Sequence, residues 1–237
     1  CGASAAVMHG LDCSYRQLHP IHVAVGRNSR PRNQRYVRFH VLDDAETVAV
    51  DGARVTSILR TLVDCAAMMP RRYAMAPIDS ALRQGKTTVE QMLEYVDAIP
   101  MLRDRERIRA VLAQGDGRVE NGGESECRAV LDELGFPVHR VQVEFPCLSH
   151  PGRVHRVDFL WERDDGTLIA GEFDGVQKYV DPLMTAGRTI RQVVDDERDR
   201  QQCLSRRGVD MVRMFYRDLD NAQVLAYRLE QARVPRR

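Results

Sequence analysis

Three acidic residues stand in RVHRVDFLWERDDGTLIAGEFDG, residues 153–175, which reads as two apolar strands joined by a charged turn. Asp158 lies between Val157 and Phe159, and Glu172 and Asp174 flank Phe173. Side chains alternate across a strand, so Glu172 and Asp174 share one face while Phe173 takes the other. A hairpin sets the strand of Asp158 alongside. Carboxylates held this close resist joint ionisation unless a cation offsets them. Mg²⁺ suits such a place, because it takes oxygen ligands, keeps several waters and works with one or two carboxylates plus a substrate phosphate. Mn²⁺ is the natural substitute. The chemistry these residues point to is metal-assisted attack on a substrate that carries phosphate.

Further side chains bear on that chemistry. In the helical pattern 124–134, Glu124 shares a stripe with Cys127, Val130 or Leu131, and Leu134, so it starts on the core-facing side. It reads either as a fourth acid of the cluster or as an N-terminal acid complementing the helix dipole. Lys178 follows Asp174 closely in a chain whose 35 basic residues include only one other lysine, Lys86. A lysine can pass protons or steady a phosphate as a compact charge, which a guanidinium does not; a solvated loop lysine is the plain alternative. On the helical pattern after it, Glu197 and Gln201 share a stripe with Ile190, Val193, Val194 and Leu204, facing the acids or the helix edge. The stretch RNSRPRNQRYVR carries Arg27, Arg30, Arg32, Arg35 and Arg38, no acid, and Tyr36 for stacking. It reads equally as a phosphate-contacting loop or as a solvated connection.

The elements that must position these residues divide at the glycine-rich stretch AQGDGRVENGGES. The spacing predicts a first domain over 1–112, a linker over 113–123 and a second domain over 124–237. In the first, IHVAV and YVRFHVL alternate like strands. TSILRTLVDCAAMM, APIDSALRQG, TTVEQMLEYVDAI and RERIRAVLA carry helical periodicity, the third with Thr88 and Gln91 at capping-box spacing. In the second, the order is a helix closed by Gly135, three strands (VHRVQVEF, RVDFLW, TLIAGEF), a long helix ending at Gly208, the strand DMVRMFY and a last helix. Strands mixed with helices able to cover both sheet faces make the chain α/β, an α+β domain followed by a mixed sheet flanked by helices.

Composition narrows the partners. The 237 residues, 43% of them hydrophobic, suffice for two ordinary domains. A net charge of +1 leaves nucleic-acid contact to local patches. No run reaches the ~18–20 apolar residues of a membrane span. The six cysteines, Cys1, Cys13, Cys65, Cys127, Cys147 and Cys203, contain no C-x-x-C pair and read as reduced thiols of a cytoplasmic protein. The histidines form no H-E-x-x-H, and the pair His19 and His22 reads as structural. The chain opens on Cys1 rather than Met, consistent with a trimmed front.

GESECRAVLDELGFP, RVDFLW, EFDGVQKY and ERDRQQCLSRRGVDMVRMFYRDL resemble the very-short-patch-repair-like branch of the PD-(D/E)XK restriction-endonuclease superfamily, over roughly residues 122–220. The resemblance implies a central mixed sheet flanked by helices and Mg²⁺-dependent phosphodiester cleavage, with DNA the expected substrate ahead of RNA. It makes Asp158 and Glu172 the metal ligands and Glu124 the helical acid. The superfamily pattern wants lysine where this chain has Asp174, which leaves Lys178 as a candidate for that role. SAAVMHGLD, VTSILRTLVDCA and IDSALRQGKTTVEQM resemble the C-terminal, non-DNA-binding part of abortive-infection type antitoxins. In actinobacterial relatives this part often follows a winged-helix DNA-binding segment and precedes a nuclease-like domain. That resemblance implies a toxin or other protein partner. It also keeps a second expectation alongside the endonuclease: a regulatory DNA- or protein-binding protein on a catalytically degenerate nuclease fold.

Overall fold

A computed structural model of the protein describes residues 1–43, 45–148, 150–174 and 190–237, without the side chains of 190–197. The chain is α/β and forms two compact units, Cys1–Glu126 and Cys127–Arg237.

In the first unit, α1 (Gly2–Met8) leads to the parallel pair β1 (Ile21–Val25) and β2 (Val37–Val41), joined by the basic connection. An antiparallel hairpin follows, β3 (Thr47–Val50) and β4 (Ala53–Thr56), turning on Asp51 and Gly52. Both turn residues have positive φ, 46° and 78°. Such a two-residue turn matches the strand twist, and Asp-Gly adopts it readily. Four helices complete the unit: α2 (Ile58–Met68), α3 (Arg71–Arg83), α4 (Val89–Ala98) and α5 (Arg105–Leu112). Helix α2 is central. Its Leu62, Val63, Cys65 and Ala66 are fully buried among α1, α3, α4 and α5. Helix α4 starts at the expected capping box, with Thr88 Oγ1 accepting from Gln91 N and Gln91 Oε1 accepting from Thr88 N. Helix α3 begins earlier than its periodicity suggests and runs through Pro77.

The sequence places the division between domains at 113–123, but that stretch is packed against α3. Asp79 accepts from Asp116 N at 2.8 Å, and Arg83 donates to the Val119 carbonyl at 2.9 Å. At Gly117 a Cβ would lie 3.0 Å from the Leu82 backbone. The glycine is there for close approach as much as for flexibility. The boundary between the units falls instead inside α6 (Gly122–Glu133).

The second unit carries a mixed four-stranded sheet in the order β5 (Arg140–Pro146), β6 (Val154–Glu162), β7 (Leu168–Asp174), β8 (Val209–Phe215). Neighbours are antiparallel except β7 and β8, which are parallel and so need a crossover; α7 (Ile190–Arg206) lies on it. Short α8 (Tyr216–Leu219) and α9 (Ala222–Gln231) follow. The middle strands are buried on both faces. Leu160, Ala170 and Val209 pack with Leu204 of α7. Phe159, Trp161 and Ile169 are also fully buried. Trp161 Nε1 donates to the Phe136 carbonyl at 3.3 Å, which satisfies its one polar atom. Each such large apolar side chain contributes ~1.5–3 kcal/mol by burial. Among the described residues no helix is long and apolar enough to cross a membrane.

Candidate active site

The β6–β7 ladder runs from Phe159 opposite Gly171 to Glu162 opposite Leu168. Asp158 stands just past its end, where the carboxylate replaces a ladder partner: Oδ2 accepts from Phe173 N at 2.8 Å. On β5, between the pairs Val141 with Phe159 and Val143 with Val157, Gln142 has a φ of 51°, a local kink in the strand. Glu172 and Asp174 leave β7 on the face shared with Ala170, which packs toward α7. Phe173 takes the opposite face and meets Tyr216 edge-on, ring centres 4.9 Å apart. The expected facing of the acids is therefore present.

Two arginines answer the acids. Arg200 of α7 donates Nη2 to Glu172 Oε1 and to the Arg156 carbonyl. Arg213 of β8, opposite Glu172 in the register, places Nη1 3.8 Å from Asp174 Oδ2. Burial pushes the Glu172 carboxyl up to about 7, against the pull of Arg200, and the charges of Asp158 and Asp174 add to the rise. A carboxyl so shifted, beside two other acids, is the kind of group that functional sites collect. With all ionised, three carboxylates against two guanidiniums leave one negative charge in excess, and the donors are all hard oxygens. Hard oxygen donors are the kind Mg²⁺ or Mn²⁺ takes, and Asp158 and Glu172 are the carboxylates that would hold such an ion.

The other sequence candidates fall as follows. Glu124 belongs to the first unit, where its carboxylate accepts from Glu120 N at 3.0 Å and from the Asn121 amide. Asn121 in turn accepts from Gly123 N and Glu124 N, both at 3.0 Å. Those bonds make it an acid of the helix start. Lys178 lies outside the described residues, as does the side chain of Glu197. Gln201 is exposed, which matches the helix-edge alternative of its two readings: the stripe of α7 that meets the sheet is Arg200, Cys203 and Leu204. Gln201 lies about 100° around the helix from Arg200. In the basic stretch, Arg27 donates to Asp43, with Nε 2.6 Å from Oδ2. Arg35 lies over the Tyr36 ring at 5.2 Å. Arg30, Arg32, Arg35 and Arg38 are exposed and remain available to a phosphate.

The sequence reading missed Arg200 and Arg213, whose signal was the i, i+3, i+4 set of Arg200, Cys203 and Leu204 and the register of β8. It also missed Cys147, His155 and Cys203, whose ligand atoms all lie within 4.8 Å of one another. The spacing Cys147-x-x-His150 followed by His155 was the available sign.

The second unit is a mixed-sheet domain that carries Asp158 on β6 and Glu172 and Asp174 at the end of β7. For the first unit, residues 1–114 match the family model described as the AbiEi antitoxin C-terminal domain, so this half of the chain is antitoxin-like. The chain is also similar to uncharacterized protein MT2308 of Mycobacterium tuberculosis strain CDC 1551 / Oshkosh and to uncharacterized protein Rv2248 of strain ATCC 25618 / H37Rv. Each is 28% identical over 213 residues, covering 83% of this chain and 74% of its own. No solved structure matches the chain significantly.

Proposed function

We propose that the second unit is a Mg²⁺-dependent nucleic-acid phosphodiesterase, an endonuclease with DNA as its expected substrate. It works in a protein whose antitoxin-like first unit sets it in a toxin–antitoxin or defence system, with a toxin as possible partner. One observation carries this reading: Glu172 is buried with its proton held up to about 7, feels the charges of Asp158 and Asp174, and pairs with Arg200, while Arg213 stands beside Asp174. Asp158 and Glu172 would hold the ion, which when bound offsets the phosphate charge and acidifies water. Glu172 must shed its proton first, so cation affinity rises with pH through about 7. Asp158 is fixed by the Phe173 amide and Asp174 by Arg213. Arg200, exchanging Glu172 for a phosphate oxygen, offers a planar pair of donors to the substrate. Lys178 is carried as the candidate for steadying charge on the leaving group.

The Arg200–Glu172 ion pair favours a second reading. A guanidinium that permanently takes the cation's place would leave a regulatory, antitoxin-like scaffold for DNA or a protein. Calorimetry with Mn²⁺ separates the two. The enzyme reading expects binding that Asp158→Asn and Glu172→Gln each weaken at least tenfold. Binding by neither the wild type nor any variant supports the scaffold.

A further inference from the structure

We propose that Cys147, His155 and Cys203 form a structural Zn²⁺ site that staples the β5–β6 hairpin to α7. Cys147 follows β5 directly, and its amide donates to the Arg153 carbonyl at 2.7 Å, closing the hairpin. His155 lies on β6 opposite Phe145, and Cys203 on α7. The two sulfurs are 3.2 Å apart as free thiols, and the ligand atoms of all three residues lie within 4.8 Å of one another. Two sulfurs held tetrahedrally on one zinc at ~2.3 Å would stand ~3.8 Å apart, a separation small side-chain shifts supply.

His155 points to a ligand independently. The residue is 4% exposed, yet among the described residues its Nε2 has no hydrogen-bond partner. Buried polar atoms almost always have one, because leaving them bare forfeits their hydration. One ring nitrogen of His155 lies within 4.8 Å of both sulfurs, so an ion held among the three would give the buried imidazole a partner. The sulfurs are prepared as well: Leu148 N donates to Cys203 Sγ at 3.1 Å, the kind of amide-to-sulfur bond that steadies a thiolate on a metal. Cys₂His is a soft-to-borderline donor set, which selects Zn²⁺ over the hard cations suited to the acid cluster. The fourth position falls to exposed His150, whose Nδ1 is 3.8 Å from Cys147 Sγ, or to water.

The placement has a consequence for the neighbouring acids. Cys203 stands one helical turn after Arg200, on the same face. Fixing Cys203 to the hairpin fixes the turn of α7 from which Arg200 reaches Glu172. The staple thereby sets the position of the arginine whichever way the acid cluster functions.

The test uses the full chain purified under reducing conditions. Elemental analysis is expected to give one Zn²⁺ per chain that survives dialysis. Replacing it with Co²⁺ should give thiolate-to-cobalt charge-transfer absorption with tetrahedral d–d bands. Cys147→Ser and Cys203→Ser should each lose the metal, and Asp158→Asn should keep it. Because a cysteine variant can fail to fold, the wild-type Co²⁺ spectrum is itself decisive: thiolate bands support the site. Their absence overturns it, as does a Cys147–Cys203 disulfide recovered after alkylation, or zinc that follows Asp158 rather than the cysteines.

Discussion

Replacing Glu172 with glutamine should change how the stability of the protein depends on pH. In the folded chain the Glu172 carboxyl is raised from 4.5 to about 7, by burial first, opposed by Arg200 and reinforced by Asp158 and Asp174. A raised folded value means that the folded state holds the proton more tightly than the unfolded state. The protonated carboxyl therefore contributes stability that is complete below pH 4.5 and is lost as pH rises through about 7. At ~1.4 kcal/mol per pH unit, that interval corresponds to a loss of about 3 kcal/mol. Glutamine cannot ionise, so Glu172→Gln should lack this loss, while titrating groups away from the Glu172 cluster act on both proteins alike. Urea denaturation in EDTA, followed by the fluorescence of Trp161, the single tryptophan, reads the second unit directly. The difference between wild-type and variant stabilities should grow by about 3 kcal/mol in the variant's favour between pH 4.5 and 8. Parallel curves over that interval would refute the argument, because they would place Glu172 at an ordinary carboxylate value.

Gly171→Ala should destabilise the second unit by about 1–3 kcal/mol and perturb Trp161 emission, since a Cβ there would sit 2.7 Å from ring atom Cζ3; an unchanged urea midpoint would show that the ring can give way. Arg200→Gln should weaken the metal-free protein by about 1–3 kcal/mol, between the surface and fully buried cases. The same change should tighten Mn²⁺ binding, because the competing cation is gone; weaker binding would mean that Arg200 supports the site instead of blocking it.

The facing of the three acids was legible because a strand has period two: once Asp158, Glu172 and Asp174 lie on strands, their faces follow. The arginines that answer them were not legible for the opposite reason. A helix stripe is broad, and a phase shift of one residue exchanges Gln201 for Arg200. The Asp51-Gly52 turn flanked by alternating Thr47, Val48, Val50 and Val55 was readable as a hairpin, a local signal that the sequence reading did not use. The parallel pairing of β1 with β2 carries no local signal, since which strands meet is decided by packing. Gly115 and Gly117 read as a linker by composition. Only the Ile78 and Leu82 side chains beside Gly115, and the Leu82 and Arg83 backbone beside Gly117, show that a side chain has no room there. The metal-ligating trio is hardest to see, because Cys203 joins Cys147 and His155 across 56 positions of sequence.

The central claim is that the acid cluster cuts nucleic acid, and cleavage itself tests it most directly. Wild-type protein and Asp158→Ala should be incubated with Mg²⁺ or Mn²⁺ on single- and double-stranded DNA and on RNA. The account predicts metal-dependent cleavage, with DNA the preferred substrate, and a loss of about 10²–10⁴ in rate in the variant. Cleavage that persists undiminished in Asp158→Ala, or a wild-type protein that binds DNA yet cuts none of these substrates with either metal, would contradict it.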